Sequence, residues 1–508
     1  MTEKILFVVM PYRTTSDDCP KHRIQAYASM PYGVISLATY VKNHADCEVK
    51  IFDYNVNEDF DTVIKLFNPT IVALSIMFDM SHVYLDGVLS DVRKNNKTCR
   101  IVAGGMSASA TYKDILSKYE DIQSVCYLEG EIPMAKFVSD PRVLGTCNAW
   151  ITRNKLLNNF VPQKEIVKNL DDVINLDYSL IHPDDYAMVE TFSPYAQDFK
   201  NKKQFNIMSS RGCCFSCYFC THSNDPDKTV RFASVPEIIK HVKYLIDNYG
   251  MNVLTFRDDQ ILLNKERAKE LFRQLAQFHL RIECPSGLTV AFIDDEIAGL
   301  MRDAGMDTAH LAIESGSPRI LKIMRKPLKV EQIKPAVDIL HKHGFFIICF
   351  IVNGTPDETD EDRALTTKII KNAGFDWASI QDASPLIGTD LFKECVEKGY
   401  IPKNTTAHDI DMRKYMITTP SWTPRELEKK SYEMNLDVNF VNNRSMLNGD
   451  YKLALRLFTD ILSRFPDHPF AYYYISKCAE KLYKSTCKNT DLYDWEEYFG
   501  RLIHDDME

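Results

Sequence analysis

The stretch RGCCFSCYFCTHS, residues 211–223, decides how the rest of the chain is read. It holds four cysteines, and three of them, Cys213, Cys217 and Cys220, have the spacing C-x3-C-x2-C. Thiolate is the soft ligand that iron-sulfur centres select, and thiolates this close together, on a loop opened by Gly212, can converge on one cluster. With three protein ligands, a four-iron cubane keeps one iron open to hold and reduce a small molecule. Two other readings compete. A structural zinc site uses four ligands, usually as two pairs, and the chain offers no second C-x2-C; His222 could complete a set with Cys214 only at cramped spacing. A redox pair of Cys217 and Cys220 belongs near a short thioredoxin-like βαβ unit, which this neighbourhood does not resemble. Cys214, between two ligands, reads as an ordinary small residue.

Downstream of the cysteines, strand and helix signals repeat. NVLTFRDD (252–259), RIECPSG (281–287), TAHLAIESGS (308–317), FFIICFIVNG (345–354) and WASIQDASP (377–385) read as strands, separated by segments of helical period such as EIIKHVKYLIDNY (237–249). With the strand before the cysteines, this predicts a partial (β/α)6 barrel over residues 196–415, whose active site lies at the carboxyl ends of its strands. Asp258, Asp259, Ser286, Thr289, Glu314 and Ser315 fall at those ends, as does the turn NGTPDET (353–359). A helix N-cap is the competing role for Asp258 and Asp259, and Ser317 can cap the helix after Glu314 and Ser315.

Upstream, residues 1–145 carry short apolar runs alternating with helices: ILFVV (5–9), VKIFDY (49–54), IVALSI (71–76), RIVAGG (100–105) and VCYLEG (125–130). This pattern predicts a doubly wound, Rossmann-like parallel sheet covered on both faces, with its ligand crevice at the carboxyl ends of the strands. Residues 146–195 read as a linker, and residues 416–508 as a helical domain in which NGDYKLALRLFTDILSRFPDHPFAYYYISKCAEKL (448–482) resembles one tetratricopeptide unit. One unit cannot form a solenoid, so it is expected to cap the barrel mouth, with Tyr472, Tyr473 and Tyr474 mainly helical core. The fold class is therefore α/β: a parallel-sheet domain, a partial barrel and a helical tail.

Sixty-one basic against 70 acidic residues give a net charge of −9, which argues against a broad electrostatic grip on nucleic acid. No apolar run reaches bilayer length and MTEKILFVVMPYR enters a strand without a cleavable signal, so a cytoplasmic protein with no membrane partner is expected. Of the fourteen cysteines, those outside the 211–223 stretch follow no disulfide framework and read as reduced thiols.

The cysteine spacing, with Phe215, Tyr218 and Phe219 between the ligands and a (β/α) pattern after them, resembles the radical S-adenosylmethionine (radical SAM) enzymes. The resemblance implies a [4Fe-4S] cluster on Cys213, Cys217 and Cys220, an external donor such as flavodoxin or ferredoxin, and S-adenosyl-L-methionine (SAM) cleaved to a 5′-deoxyadenosyl radical. It assigns SAM contacts to Phe219, Asp258, Asp259, Ser286, Glu314 and Ser315, and to Arg325 in IMRKPL (323–328), where Lys326 is its neighbour. PYGVISLATYVKN (31–43), DYN (53–55), the glycine pair at 104–105 and EGE (129–131) likewise resemble the cobalamin-binding domain that precedes many radical SAM cores. That resemblance places cobalamin against Pro11, Asn55, Ser75, Met77, Phe78, Gly104, Gly105, Glu129 and Gly130. A D-x-H-x-x-G sequence is missing, so Met77 or Phe78 is expected to pack where other cobalamin proteins supply a histidine.

The function implied is modification of an unactivated carbon of a small-molecule or peptide substrate, with C-methylation as the default. Ring rearrangement, cyclisation and oxidation occur on the same architecture. A cobalamin-free enzyme modifying RNA, as methylthiotransferases do, is the further alternative; it would need a second cysteine cluster, and Cys19, Cys47, Cys99 and Cys126 are scattered.

Overall fold

The computed structural model describes residues 2–12, 29–57, 59–186, 194–195, 202–225, 227–412 and 414–486. Part of the expected linker, Cys19 and the end of the helical domain lie outside them. Strands β1 (Glu3–Val9), β2 (Cys47–Asp53), β3 (Ile71–Ser75), β4 (Arg100–Gly104) and β5 (Ile122–Cys126) form one parallel sheet in the order β2-β1-β3-β4-β5. Ile5, Phe7 and Val9 of β1 pack on one face, Leu6 and Val8 on the other, and two separate apolar cores result. Burial on both faces is why these strands read as continuous apolar runs. The sheet goes beyond the expected boundary at residue 145: β6 (Trp150–Ile151) adds an antiparallel edge on β5. Two residues are too few to carry a period.

The expected linker is more structured than its name implies. Val167, Leu170, Val173, Ile174, Leu176 and Tyr178 are buried in a core shared with the helix Tyr32–His44 and the helix Val235–Tyr249. The Tyr178 hydroxyl donates to the Asn206 carbonyl at 3.3 Å. The segment therefore works as an apolar strap between the parallel sheet and the barrel.

In the second half, β7 (Gln204–Ile207) leads into the short β8 (Ser210–Arg211), which pairs with β9 (Arg231–Phe232) and so closes the cysteine excursion at its base. Strands β10 (Val253–Phe256), β11 (Arg281–Glu283), β12 (Thr308–Glu314), β13 (Phe346–Asn353) and β14 (Trp377–Asp382) follow. Parallel pairing joins β7, β10 and β11 in one set and β12, β13 and β14 in another; the Ile282–Met306 and Leu288–Leu311 bridges connect the sets. This is the six-stranded open barrel the sequence predicts.

The helical tail covers more of the barrel than the expected cap. The helix Pro424–Leu436 runs along β14, and the Asn439 amide pairs with both the N–H and the carbonyl of Ala378 at 2.8 Å, sealing the open edge. Leu453 and Leu457 of the helix Tyr451–Arg464 pack on Phe346 and Ile348 at the amino end of β13. The tail thus closes the edge and the amino end of the barrel, while its first residues, Ile417, Trp422 and Leu427, pack with Tyr218 and Ala383 at the carboxyl strand ends; Leu453 and Leu457 match the apolar barrel floor, a long-range fit that helical periodicity does not encode. Tyr474 is half-buried in the tail's core beside Phe440 and Phe458, whereas Tyr473 is exposed. No helix among the described residues is long and apolar enough to cross a membrane.

Candidate active site at the facing strand ends

The cysteine loop leaves β8 at Gly212, whose φ is +101°. A Cβ there would lie 2.5 Å from the Thr229 carbonyl oxygen, so only glycine lets the two sides of the loop approach this closely. Gly212→Ala is expected to cost about 1–3 kcal/mol in local strain and to lower cluster iron retention, measured as melting temperature and iron content; an unchanged iron content would count against a rigid base. Asp258 also fixes that base. Its buried carboxylate accepts from the Ser209 N–H (2.9 Å) and from the hydroxyls of Ser209 (2.7 Å) and Ser210 (2.6 Å). This corrects the expectation of a SAM contact at Asp258, and the N-cap alternative as well, since Asn264 caps the following helix.

Cys213, Cys217 and Cys220 are half-buried on this loop, and burial pushes all three thiols up, Cys220 to about 11. Cys220 feels the charges of Cys217 and Cys213, and Cys217 that of Cys213, which places the three within electrostatic reach of one another. Among the described residues no three His, Cys, Asp or Glu side chains converge on a single ion position. A cubane makes a different demand, because each thiolate binds its own iron. Gln260 Nε2 lies 3.7 Å from Cys213 Sγ, and Gln260 Oε1 accepts from the Thr289 hydroxyl at 3.0 Å. Tyr218, buried, anchors the loop: its N–H donates to the Met324 carbonyl (3.1 Å), its hydroxyl to Glu394 (2.8 Å).

At the end of β12, Glu314 occupies the left-handed region (φ +62°) after a register irregularity, and its carboxylate meets Lys326 Nζ at 2.9 Å. Burial would depress Lys326, yet Glu314 and then the Cys217 and Cys213 charges hold it above its ordinary value. Lys326 is therefore the cation that faces the cysteines. Arg325, the residue expected there, turns outward to Asp390 at 2.5 Å with 45% of its side chain exposed. Two adjacent basic residues are indistinguishable in sequence; at the turn, with Arg325 at φ +53°, they take different carboxylates, and Lys326 has the larger pull on Cys217. Ser315 is fully buried against Thr366 and the Ser317 N–H, Ser286 is exposed, and Phe219 packs half-buried beside Tyr218. Asp259 lies 3.4 Å from His222 Nε2, and burial raises its pKa against the pull of that histidine.

In the parallel sheet, the order β2-β1-β3 puts a topological switch point between β1 and β3, where open α/β sheets bind ligands. Pro11, Ser75, Met77 and Phe78 follow or end those strands; Met77 is 51% and Phe78 42% exposed, and the Phe78 ring meets Tyr12 edge-on at 5.3 Å. Exposed apolar side chains at such a crevice fit a large planar cofactor. Other expected contacts are used internally. Asn55 binds the Tyr12 N–H, the Met10 carbonyl and Asp53. Gly105, at φ +110°, is demanded by the Ile76 carbonyl, 2.5 Å from where its Cβ would be. Gly104 faces Cys126, and Gly130 faces Leu37. Glu129 ion-pairs with Arg231 and lies 3.5 Å from Arg211.

The two sets of strand ends face each other. Arg211, two residues before Cys213, inserts its guanidinium between Glu131 Oε1 (2.7 Å) and the Ser36 hydroxyl (2.9 Å) of the parallel-sheet domain. Burial pushes the Glu131 carboxyl up, but Arg211 prevails and holds it below its ordinary value. On the other side, His408 meets the Tyr119 hydroxyl at 3.4 Å, and its ring lies 5.9 Å from that of His82. Sequence reasoning missed Arg211, Glu131, Gln260 and His408. Arg211 adjoins the motif and Glu131 ends the EGE string, but nothing in the sequence pairs them. Cys47 and Cys99 lie at the amino ends of β2 and β4, with β1 and β3 between, and Cys126 ends β5, so these three do not gather into a second cluster.

A radical SAM superfamily model matches residues 207–370 and a B12 binding domain model matches residues 26–138. An uncharacterised methyltransferase of Pyrococcus horikoshii is 29% identical over 82% of this chain and 87% of its own. The cytidylyl-2-hydroxyethylphosphonate methyltransferase of Streptomyces wedmorensis is 26% identical over 77% of this chain and 78% of its own. Among solved structures, the radical S-adenosylmethionine methyltransferase TsrM of Kitasatospora setae shares the fold, with a TM-score of 0.64 at 13% identity over 95% of this chain and 100% of that one. Fold and matches together define an enzyme in which a radical SAM core follows a B12-binding domain. The chain belongs to the cobalamin-dependent radical SAM enzymes, whose cofactors are a [4Fe-4S] cluster, SAM and cobalamin.

Proposed function

We propose that this enzyme methylates an unactivated carbon of a small-molecule or peptide substrate held between the barrel mouth and the sheet crevice. The observation that carries this reading is the buried Arg211–Glu131 pair, which ties the base of the cysteine loop to the strand ends of the B12-binding domain. When bound, the cluster with SAM supplies one-electron hydrogen abstraction, and cobalamin supplies the methyl group.

Each residue then has a task. Cys213, Cys217 and Cys220 hold the cluster as thiolates, on a loop braced by Asp258 and Tyr218. Lys326 places a positive charge beside those thiolates, and Glu314 orients it at 2.9 Å. With Glu314 engaged and Ser315 buried, the exposed Ser286 and the Asp259, Gln260 and Thr289 side chains, which bond to His222 and to each other, are the polar groups offered to SAM at the mouth. Pro11, Met77 and Phe78 supply an apolar wall for cobalamin that also excludes water. An external electron donor, flavodoxin or ferredoxin, completes the system.

The test is an anaerobic preparation reconstituted with iron, sulfide and cobalamin, followed by metal counting and a visible spectrum. One four-iron cluster and one cobalamin per chain are expected; iron without cobalt sinks the methyl-transfer reading.

A further inference from the structure

The barrel interior above its apolar floor is lined by charge and amide. Gln204 and Asn206 of β7, Thr255 of β10 and Glu283 of β11 face the same side: Gln204 Nε2 donates to Thr255 Oγ1 at 2.6 Å and to Glu283 Oε2 at 3.1 Å. Their neighbours Phe205, Ile207, Leu254, Phe256 and Ile282 pack into the outer core. Arg257, two residues past Thr255, extends this inner row, and its Nε donates to the buried Asn206 Oδ1 at 3.1 Å. The position is just below the cysteine loop, three residues before Gln260, which reaches Cys213.

The charges in this row do not balance at its upper end. Glu283 has Arg281 at 3.5 Å, and Arg281 has Asp307 at 3.2 Å, so the lower carboxylates share one guanidinium. Glu314, at the mouth, is taken by Lys326. Arg257, half-buried, has no carboxylate within 4 Å among the described residues, and Asn206 uses only its Nε, leaving the two terminal nitrogens of the fork. Burial pushes Arg257 down and the more distant Glu283 only partly opposes it. A desolvated guanidinium without a counter-charge is costly, and the group that best relieves it is an oxyanion that accepts two parallel N–H bonds.

We infer that Arg257 receives an anionic group of the substrate, a carboxylate or a phosphoryl oxygen pair, and so fixes which end of the substrate enters the barrel. This rests on the assignment of the mouth as the reaction site and makes Arg257 a specificity-determining residue. A neutral substrate would leave the guanidinium unpaired at the bottom of the site. Asn206 holds the plane of the fork through Nε, so lysine at this position would keep the charge and lose the two-point geometry.

The test uses reconstituted holoenzyme saturated with SAM, titrated calorimetrically with acetate, methylphosphonate and, as neutral control, acetamide. Wild type is expected to bind at least one anion saturably and acetamide not at all; which anion binds tells carboxylate from phosphoryl. Arg257→Gln is expected to weaken that anion by about tenfold or more, with iron content, cobalt content and SAM affinity unchanged, and Arg257→Lys to fall between. Equal anion affinity in wild type and Arg257→Gln, or no saturable anion binding by wild type, overturns the inference. So does a parallel loss of SAM affinity, which would assign Arg257 to the SAM carboxylate. Should Arg257→Gln lose iron, Arg257→Lys decides, and wild-type affinity in that variant also overturns it. Metal counts on wild type test the cofactor assignment separately, since they do not involve Arg257.

Discussion

Cys217→Ala is expected to lose cluster iron and all SAM cleavage, while Cys214→Ala keeps both. The two residues stand three positions apart on one loop, so a general loop defect would affect them alike. Their surroundings differ. Cys217 feels the charges of Lys326, Glu314, Cys213 and Arg325, and Cys220 feels Cys217 and Cys213, so these three thiols share one electrostatic neighbourhood, whereas Cys214 stands outside the C-x3-C-x2-C spacing. Burial raises the ligand thiols, so only a metal's pull makes them thiolates at neutral pH, and removal of one ligand from a three-ligand cluster leaves two irons without protein. Iron and sulfide counts with 5′-deoxyadenosine release measure the outcome. Equal loss in both variants would show that the ligands are misassigned.

Arg211→Met is expected to destabilise the protein by about 3–5 kcal/mol, because it leaves the Glu131 carboxylate buried without a counter-charge, with the Ser36 hydroxyl at 3.0 Å as its remaining side-chain donor. The side chains of Arg211 and Glu131 are 11% and 6% exposed, so water cannot replace the guanidinium. Glu131→Gln should cost less, and the Arg211→Met, Glu131→Gln pair less than the sum of the two, since no charge is then stranded. The pH dependence follows from the depressed Glu131 carboxyl. Its contribution is complete above the ordinary value of 4.5 and is lost as pH falls through the lower folded value. The difference between wild type and Arg211→Met should therefore be smallest at low pH and grow as pH rises past 4.5, because in the variant burial alone acts on Glu131 and raises its carboxyl, and it should level off only above that raised value. Denaturant unfolding at two pH values measures this; a difference independent of pH throughout would remove Glu131 from the account. Because the pair joins the two domains, cobalamin retention should fall with stability in Arg211→Met.

The largest departures from sequence expectation occur where one polar residue had several partners to choose from. Asp258, Asn55 and Glu129 are expected near strand ends, and each is there; what they touch is Ser209 and Ser210 at the turn into β8, the loop after β1, and two arginines of the barrel. Arg325 and Lys326 differ by one position and pair with different carboxylates, Asp390 and Glu314. The tail was legible as helices because its apolar residues recur at helical spacing, yet the barrel surface it covers depended on Leu453 and Leu457 meeting Phe346 and Ile348, about a hundred residues earlier.

The sequence by itself determined the grouping of the cysteines on one loop, the alternation of strands and helices, the class of both large domains and the cofactors they carry. These are local properties: ligand spacing along one loop and burial of alternating or continuous apolar residues leave a period within a few residues. The tertiary structure alone decided that the two sets of strand ends face each other through Arg211 and Glu131, that Lys326 and Glu314 pair beside the cysteines, and that Arg257 has no carboxylate within 4 Å among the described residues. Those depend on charges brought together from distant segments, where desolvation turns an ordinary ion pair into a strong constraint and a missing partner into a site.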